Sequence, residues 1–220
     1  MKIWRFKDYQ PIIIIQNYLL YIKAQNRIVM PVDMTEIKTE LLKVGIEITN
    51  IYDLVNSSKR YAAAIPVLSG LLEKGIEDTK IKEGVIRALT VKDAAGVPNK
   101  VLIEEYNQIQ KNETSLRWAI GNAFYTIITN DDAENILQIV QDRENGLSRQ
   151  MFVAALGKIK SEQSEIVLIK LLDDVEVAAH ALEALGRLKS KNAKEKIEML
   201  LDHKNKLIRK EAKKALKKIG

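Results

Sequence analysis

From about residue 60 onward one local pattern returns at near-constant intervals, and it decides most of what this chain can fold into. An alanine followed by a large apolar residue recurs in IRALTV, GNAFYTI, AALGKI, EALGRL and KKALKKI, with the alanines at Ala88, Ala123, Ala155, Ala184 and Ala215 and intervals of 35, 32, 29 and 31 residues. Each segment has apolar residues at helical spacing. Each is preceded by another short amphipathic stretch, at 65–72, 102–109, 136–140, 166–172 and 197–201. The links within each pair are short and polar, as helix-hairpin connections are: Glu77 and Asp78, Lys111 and Asn112, Asn145 and Gly146, Asp173 and Asp174, then His203 to Asn205. A hairpin of this size cannot bury its apolar face alone, so neighbours must stack. The expected fold is therefore an all-α solenoid of about five helical hairpins over residues 60–220.

Two stretches, SEQSEIVLIKLLDDVEVAAHALEALGRLKS and NAKEKIEMLLDHKNKLIRKEAKKALKKIG, follow a pattern of helix, acidic turn and Ala-x-x-Ala-Leu-Gly-like second helix. In this the chain resembles HEAT-like repeats of the armadillo-like superfamily, in the short form of phycobilisome-lyase-type repeat proteins. The resemblance implies a right-handed α-α superhelix whose second helices line the concave side, and a protein that binds a partner without catalysis. Tetratricopeptide and ankyrin repeats have similar periods, but their Trp-Leu-Gly-Tyr and Thr-Pro-Leu-His signatures are absent.

Residues 1–59 lack the alanine pattern and read as an N-terminal helical cap. Stretches 35–44 and 46–55 look helical around Gly45, with Thr35 as a candidate cap, while Trp4, Phe6, Tyr9, Tyr18 and Tyr21 would shield the end of the first repeat. The apolar run 11–22 is interrupted by Gln16 and Asn17 and is too short to span a bilayer. No small-residue cleavage pattern follows it, so the cytoplasm is the expected location. With no cysteine and two histidines, disulfides, thiolate chemistry and a three-histidine zinc centre are excluded. No Gly-rich phosphate loop, serine elbow or paired-histidine helix occurs, and neither a cofactor, a metal site nor catalytic residues are expected.

Projecting each second helix at about 100° per residue from its alanine separates three faces. The core face includes Val85, Ile120, Phe152, Ala181 and Ala212, three residues before each alanine. Two flanking positions are uncharged in four repeats but hold Glu211 and Lys213 in the fifth, which reads as a polar terminal cap ending at Gly220. Six residues before the alanine stand Lys82, Arg117, Arg149, Ala178 and Arg209. In the family this position typically hydrogen-bonds the preceding turn, which would pair the four basic residues with Asp78, Asn112, Asp142 and Asp202 as a structural ladder, leaving Asp173 and Asp174 without a partner at Ala178.

Opposite the core lie the residues expected to line the concave groove. They include Glu83 and Arg87, then Trp118, Asn122 and Tyr125, then Gln150, and then Glu183. Trp118, Asn122 and Tyr125, spaced i, i+4, i+7 on one stripe, resemble an interface anchor, because aromatics dominate binding hot spots. The small residues Ala154, Gly157, Ala179 and Gly186 on the same stripe would leave room for a ligand side chain.

Charge narrows the choice of partner. Residues 203–220 hold eight Lys or Arg against Glu211, a balance of +7, while the whole chain is +6, so the remainder is −1. Basicity sits in one terminal helix instead of running along every repeat, so a protein or peptide partner is favoured over nucleic acid. The leading expectation is a monomeric, non-catalytic protein- or peptide-binding scaffold. A DNA-binding or alkylpurine-glycosylase-like protein and an accessory or lyase-type subunit of an enzyme are the alternatives.

Overall fold

A computed structural model describes residues 31–220. The run 11–22 and the aromatics Trp4, Phe6, Tyr9, Tyr18 and Tyr21 lie outside the described residues. Residues 32–220 form one compact unit, and every regular element described in it is helical.

Five hairpins follow one another: α3 (Ala64–Lys74) with α4 (Thr79–Ala88), α5 (Asn99–Gln108) with α6 (Thr114–Ile127), α7 (Ala133–Gln141) with α8 (Gln150–Leu156), α9 (Glu162–Leu171) with α10 (Ala178–Leu188), and α11 (Lys194–Glu198) with α12 (Lys206–Ile219). They are preceded by α1 (Met34–Lys43) and the single turn α2 (Tyr52–Val55). Side-chain caps set many of the starts. Asp78 accepts from the amides of Lys80 and Ile81 before α4, Ser161 from Ser164 before α9, and Asn205 from Leu207 before α12. Thr129 and Asp132 satisfy one another before α7.

Two local expectations are corrected in the first unit. Asp33, and not Thr35, caps α1, accepting from the Glu36 amide at 2.8 Å. Residues 46–51 are not helical, because the Asp53 carboxylate gathers the Thr49 amide, the Thr49 hydroxyl and the Asn50 amide at 2.7, 2.7 and 3.1 Å. That side chain offers the backbone a local alternative to helix.

The second helices stack in order from α4 through α6, α8 and α10 to α12, with α2 packed on α4 and α1 on α3. Val85, Ile120, Phe152, Ala181 and Ala212 are all fully buried. Phe152 stands at the centre of an aromatic cluster, 4.9 Å from the Tyr106 ring and 5.5 Å from Phe124; burying a side chain of this kind stabilises the fold by about 1.5–3 kcal/mol. Glycine lets the stack close tightly. A Cβ on Gly157 would lie 2.6 Å from the Ala184 Cα, and one on Gly186 would lie 2.9 Å from the Ala215 Cα. The first helices are less uniform. α3 packs on α5 and α7 on α9, but α5 and α7 diverge and leave a groove between them.

Candidate functional site

The outward side of the second helices carries the residues singled out from sequence. Trp118 on α6 is 39 % exposed, while Asn122 and Tyr125 on the same helix are half-buried. On α4 the Arg87 guanidinium donates to Glu83 at 2.6 and 2.8 Å. Gln150, at the start of α8, donates its amide to the Glu176 carbonyl.

Tyr125 and Glu183 meet across two repeats. The Tyr125 hydroxyl donates to Glu183 Oε1 at 2.9 Å, and Arg187 donates to both the Tyr125 oxygen at 2.6 Å and Glu183 at 3.0 Å. Lys158 donates to the Tyr125 carbonyl and holds its ammonium 4.6 Å from the ring centroid, with the Arg187 guanidinium 5.3 Å away. Two cations against one phenol ring form a cation–π pair network. Lys158 is exposed as a residue, yet desolvation of its ammonium against the ring lowers its pKa below the usual lysine value, and Arg187 and Lys92 add to that effect. Lys158 and Arg187 were missed in the projection. Both stand three residues after their repeat's alanine, as does Lys218, and that column of cations was the available signal.

The small residues on this stripe do not leave an opening. Ala154 and Gly157 are buried, as is Gly186. Their missing bulk admits the backbone of the next second helix, and Tyr125 reaches past α8 to Glu183.

The basic position six residues before each alanine also differs from expectation. Asp78 caps α4 instead of pairing with Lys82, whose ammonium contacts Glu105 on the next hairpin at 2.6 Å. Arg117 donates to the Tyr106 and Ile109 carbonyls and to Asn145 in the following turn, not to Asn112, and lies 3.9 Å over the Tyr106 ring. Arg149 is fully buried and bonds the Gly146 and Val140 carbonyls together with Asp174 and Glu176. Arg209 takes the carbonyls of His203 and Lys204 in place of Asp202. Asp174, expected to lack a partner, is held by Arg149, and Asp173 by Lys196 at 2.6 Å. The reason is reach. A long side chain at the start of a second helix lies closer to the stacked turn of the next hairpin than to the acid beside its own cap.

Lys210, Lys214 and Lys217 on α12 are exposed. His180 is half-buried between α10 and α12, its Nδ1 is without a hydrogen-bond partner, and burial lowers its pKa against the opposing pull of Glu183 and Glu211. Among the described residues no group of three His, Asp or Glu is arranged to hold a metal, and no helix is long and apolar enough to cross a membrane.

Comparison with known proteins bears on the fold. Residues 167–220 match the family model for HEAT repeats. A crystal structure of an engineered protein from the Northeast Structural Genomics Consortium superposes with a TM-score of 0.54 at 20 % identity, over 84 % of this chain and 96 % of that one. A designed armadillo repeat protein aligns over 77 % of this chain and 98 % of its own, with a TM-score of 0.43 and 14 % identity. No curated protein matches the chain in sequence. With HEAT repeats matched over its last two hairpins and hairpins of the same build stacked before them, the chain is a HEAT/armadillo-like repeat protein.

Proposed function

We propose that the chain is a non-catalytic scaffold that grips a protein or peptide segment in a concave groove formed by the outer face of its second helices. The observation that carries this reading is Trp118, a large aromatic side chain 39 % exposed on a rigid, well-packed helix. Exposed tryptophans on rigid elements are the usual anchors of protein interfaces. The Tyr125–Glu183–Arg187 network beside it supports the reading by presenting polar groups whose geometry is already fixed, so little ordering entropy is lost on binding. Glu83 and Arg87 lie on α4 to one side of it, and Gln150 on α8 to the other. Affinity capture from a native lysate with the wild-type chain and with Trp118→Ala tests this. The same partner should be recovered by the wild type and lost by the variant, and a partner retained equally by both overturns the assignment.

The exposed lysines of α12 favour one other reading, contact with nucleic acid. A gel-shift titration separates the two. Binding of duplex that falls steeply with salt and disappears when Lys210, Lys214 and Lys217 are replaced by Ser would move the site to α12. An accessory or lyase-type subunit has the family resemblance behind it, and a co-purifying chromophore or catalytic partner would favour it.

A further inference from the structure

We propose that the groove between α5 and α7 is a second docking site, shaped for an extended stretch of peptide main chain and separate from the face that carries Trp118. The groove has two connected stretches of about 290 and 560 Å³ that share Ile103, Asn107 and Asn135. Its middle is walled by the amides of Asn107 on α5 and of Asn135 and Gln138 on α7, and all three residues are exposed. Ile103 and Ile139, 8 % and 6 % exposed, form an apolar floor.

The charges along the groove are largely spoken for, whereas these amides are not. Lys100 lies 3.8 Å from Glu104, Lys111 contacts Asp142 and Glu144, and Asp132 accepts from Asn99 and Thr129. Asn107, Asn135 and Gln138 make no side-chain hydrogen bond among the described residues, in contrast to Asn99 and Asn145 at the two ends, which donate to the Ile127 and Ile139 carbonyls. Asn99 spends both amide hydrogens, on Ile127 and Asp132, and its own buried carbonyl oxygen is left without a donor.

A row of neutral groups that both donate and accept is complementary to the alternating N–H and C=O edge of an extended chain. Ten residues of helical wall run about 15 Å, the length of four or five residues of extended chain at about 3.3 Å each. A sugar would also bond to amides, but no aromatic ring lines this groove for it to stack upon.

The test is selection of a random hexapeptide display library on the full chain, followed by fluorescence polarisation of the recovered peptides as synthetic, labelled molecules. Binding should weaken by about tenfold or more in the triple variant Asn107→Ala, Asn135→Ala, Gln138→Ala, the size expected for losing one to three net hydrogen bonds. It should be unchanged in Trp118→Ala, and N-methylation of the central peptide bonds should abolish it on the wild-type chain. The substituted side chains are exposed, so the triple variant should keep the wild-type circular dichroism and melting temperature. Peptides that respond to Trp118→Ala but not to the triple variant would overturn the proposal, as would affinity indifferent to N-methylation, a selection that yields no binder, or displacement of the peptide by cellobiose.

Discussion

Arg149→Ala should be among the most damaging single changes in the chain. The guanidinium is fully buried, donates at 3.0 and 3.3 Å to the carbonyls of Gly146 and Val140, and reaches Asp174 at 2.9 Å and Glu176 at 2.8 Å. The contacts are unequal. Glu176 keeps 44 % of its side chain in solvent and can be rehydrated, whereas Asp174 keeps 10 %. Alanine would strand a buried carboxylate and two carbonyls together. The nearest substitute is Arg143, whose side chain is 79 % exposed and stands 3.8 Å from Asp174. Removing one partner of a buried pair costs about 3–5 kcal/mol, which for a chain of this size lowers the melting temperature by ~6–20 °C. Arg143→Ala, which breaks a mostly solvated contact, should cost less than about 0.5 kcal/mol. Urea denaturation followed by far-ultraviolet circular dichroism measures both, and a fall in m for Arg149→Ala would show the third and fourth hairpins unfolding separately. The double change Arg149→Met, Asp174→Leu should recover much of the loss, since no charge is then left unpaired. An Arg149→Ala loss below about 1 kcal/mol would refute the reasoning, because it would mean that water reaches Asp174 freely.

Gly157→Ala should destabilise by about 1–3 kcal/mol through a clash with the α10 backbone, whereas Gly70→Ala within α3, where nothing lies within 4 Å, should be neutral or stabilising by up to about 1 kcal/mol; equal effects in denaturation would contradict the packing. Trp118→Ala should cost the fold less than about 1 kcal/mol, and Ile120→Ala about 2–5 kcal/mol, so a Trp118 variant as unstable as the Ile120 variant would remove the exposed anchor. The lowered pKa of His180 means that the unfolded chain binds the proton first as pH falls below the ordinary value of 6.5. Stability should decline from there down to the folded-state pKa, and His180→Asn should flatten that part of the pH–stability curve; an unaltered slope would assign the dependence to other groups.

The hairpins were legible because an apolar stripe at helical spacing and a polar turn are local signals, repeated five times along residues 60–220. What crosses from one hairpin to the next was not legible. Tyr125 and Glu183 are 58 residues apart, and no projection of a single helix joins them. Asp142 and Asp174 look equivalent beside their own turns, and only the stacked geometry decides that Arg149 takes Asp174. A glycine column is ambiguous in itself: Gly157 reads the same whether it leaves a space or admits a backbone, and here α10 fills the gap. The divergence of α5 from α7 left no sequence signal beyond three exposed amides, a pattern common on any helix surface.

The bonds made six residues before each alanine run one way along the chain, and that gives the array a grammar. Lys82, Arg117 and Arg149 each act as a hook that closes on an eye in the hairpin that follows: Glu105, Asn145, and Asp174 with Glu176. The fourth hairpin supplies an eye but carries Ala178 where its own hook would be, so the junction with the fifth rests on the Gly186–Ala215 approach and the Lys196–Asp173 bridge. A duplicated segment that runs from a hook through the next eye would carry its own fastening wherever it was inserted. One cut to begin after Arg149 would bring an eye with nothing to close on it. The places where such an array can gain or lose a unit are thereby written into the direction in which its basic side chains point.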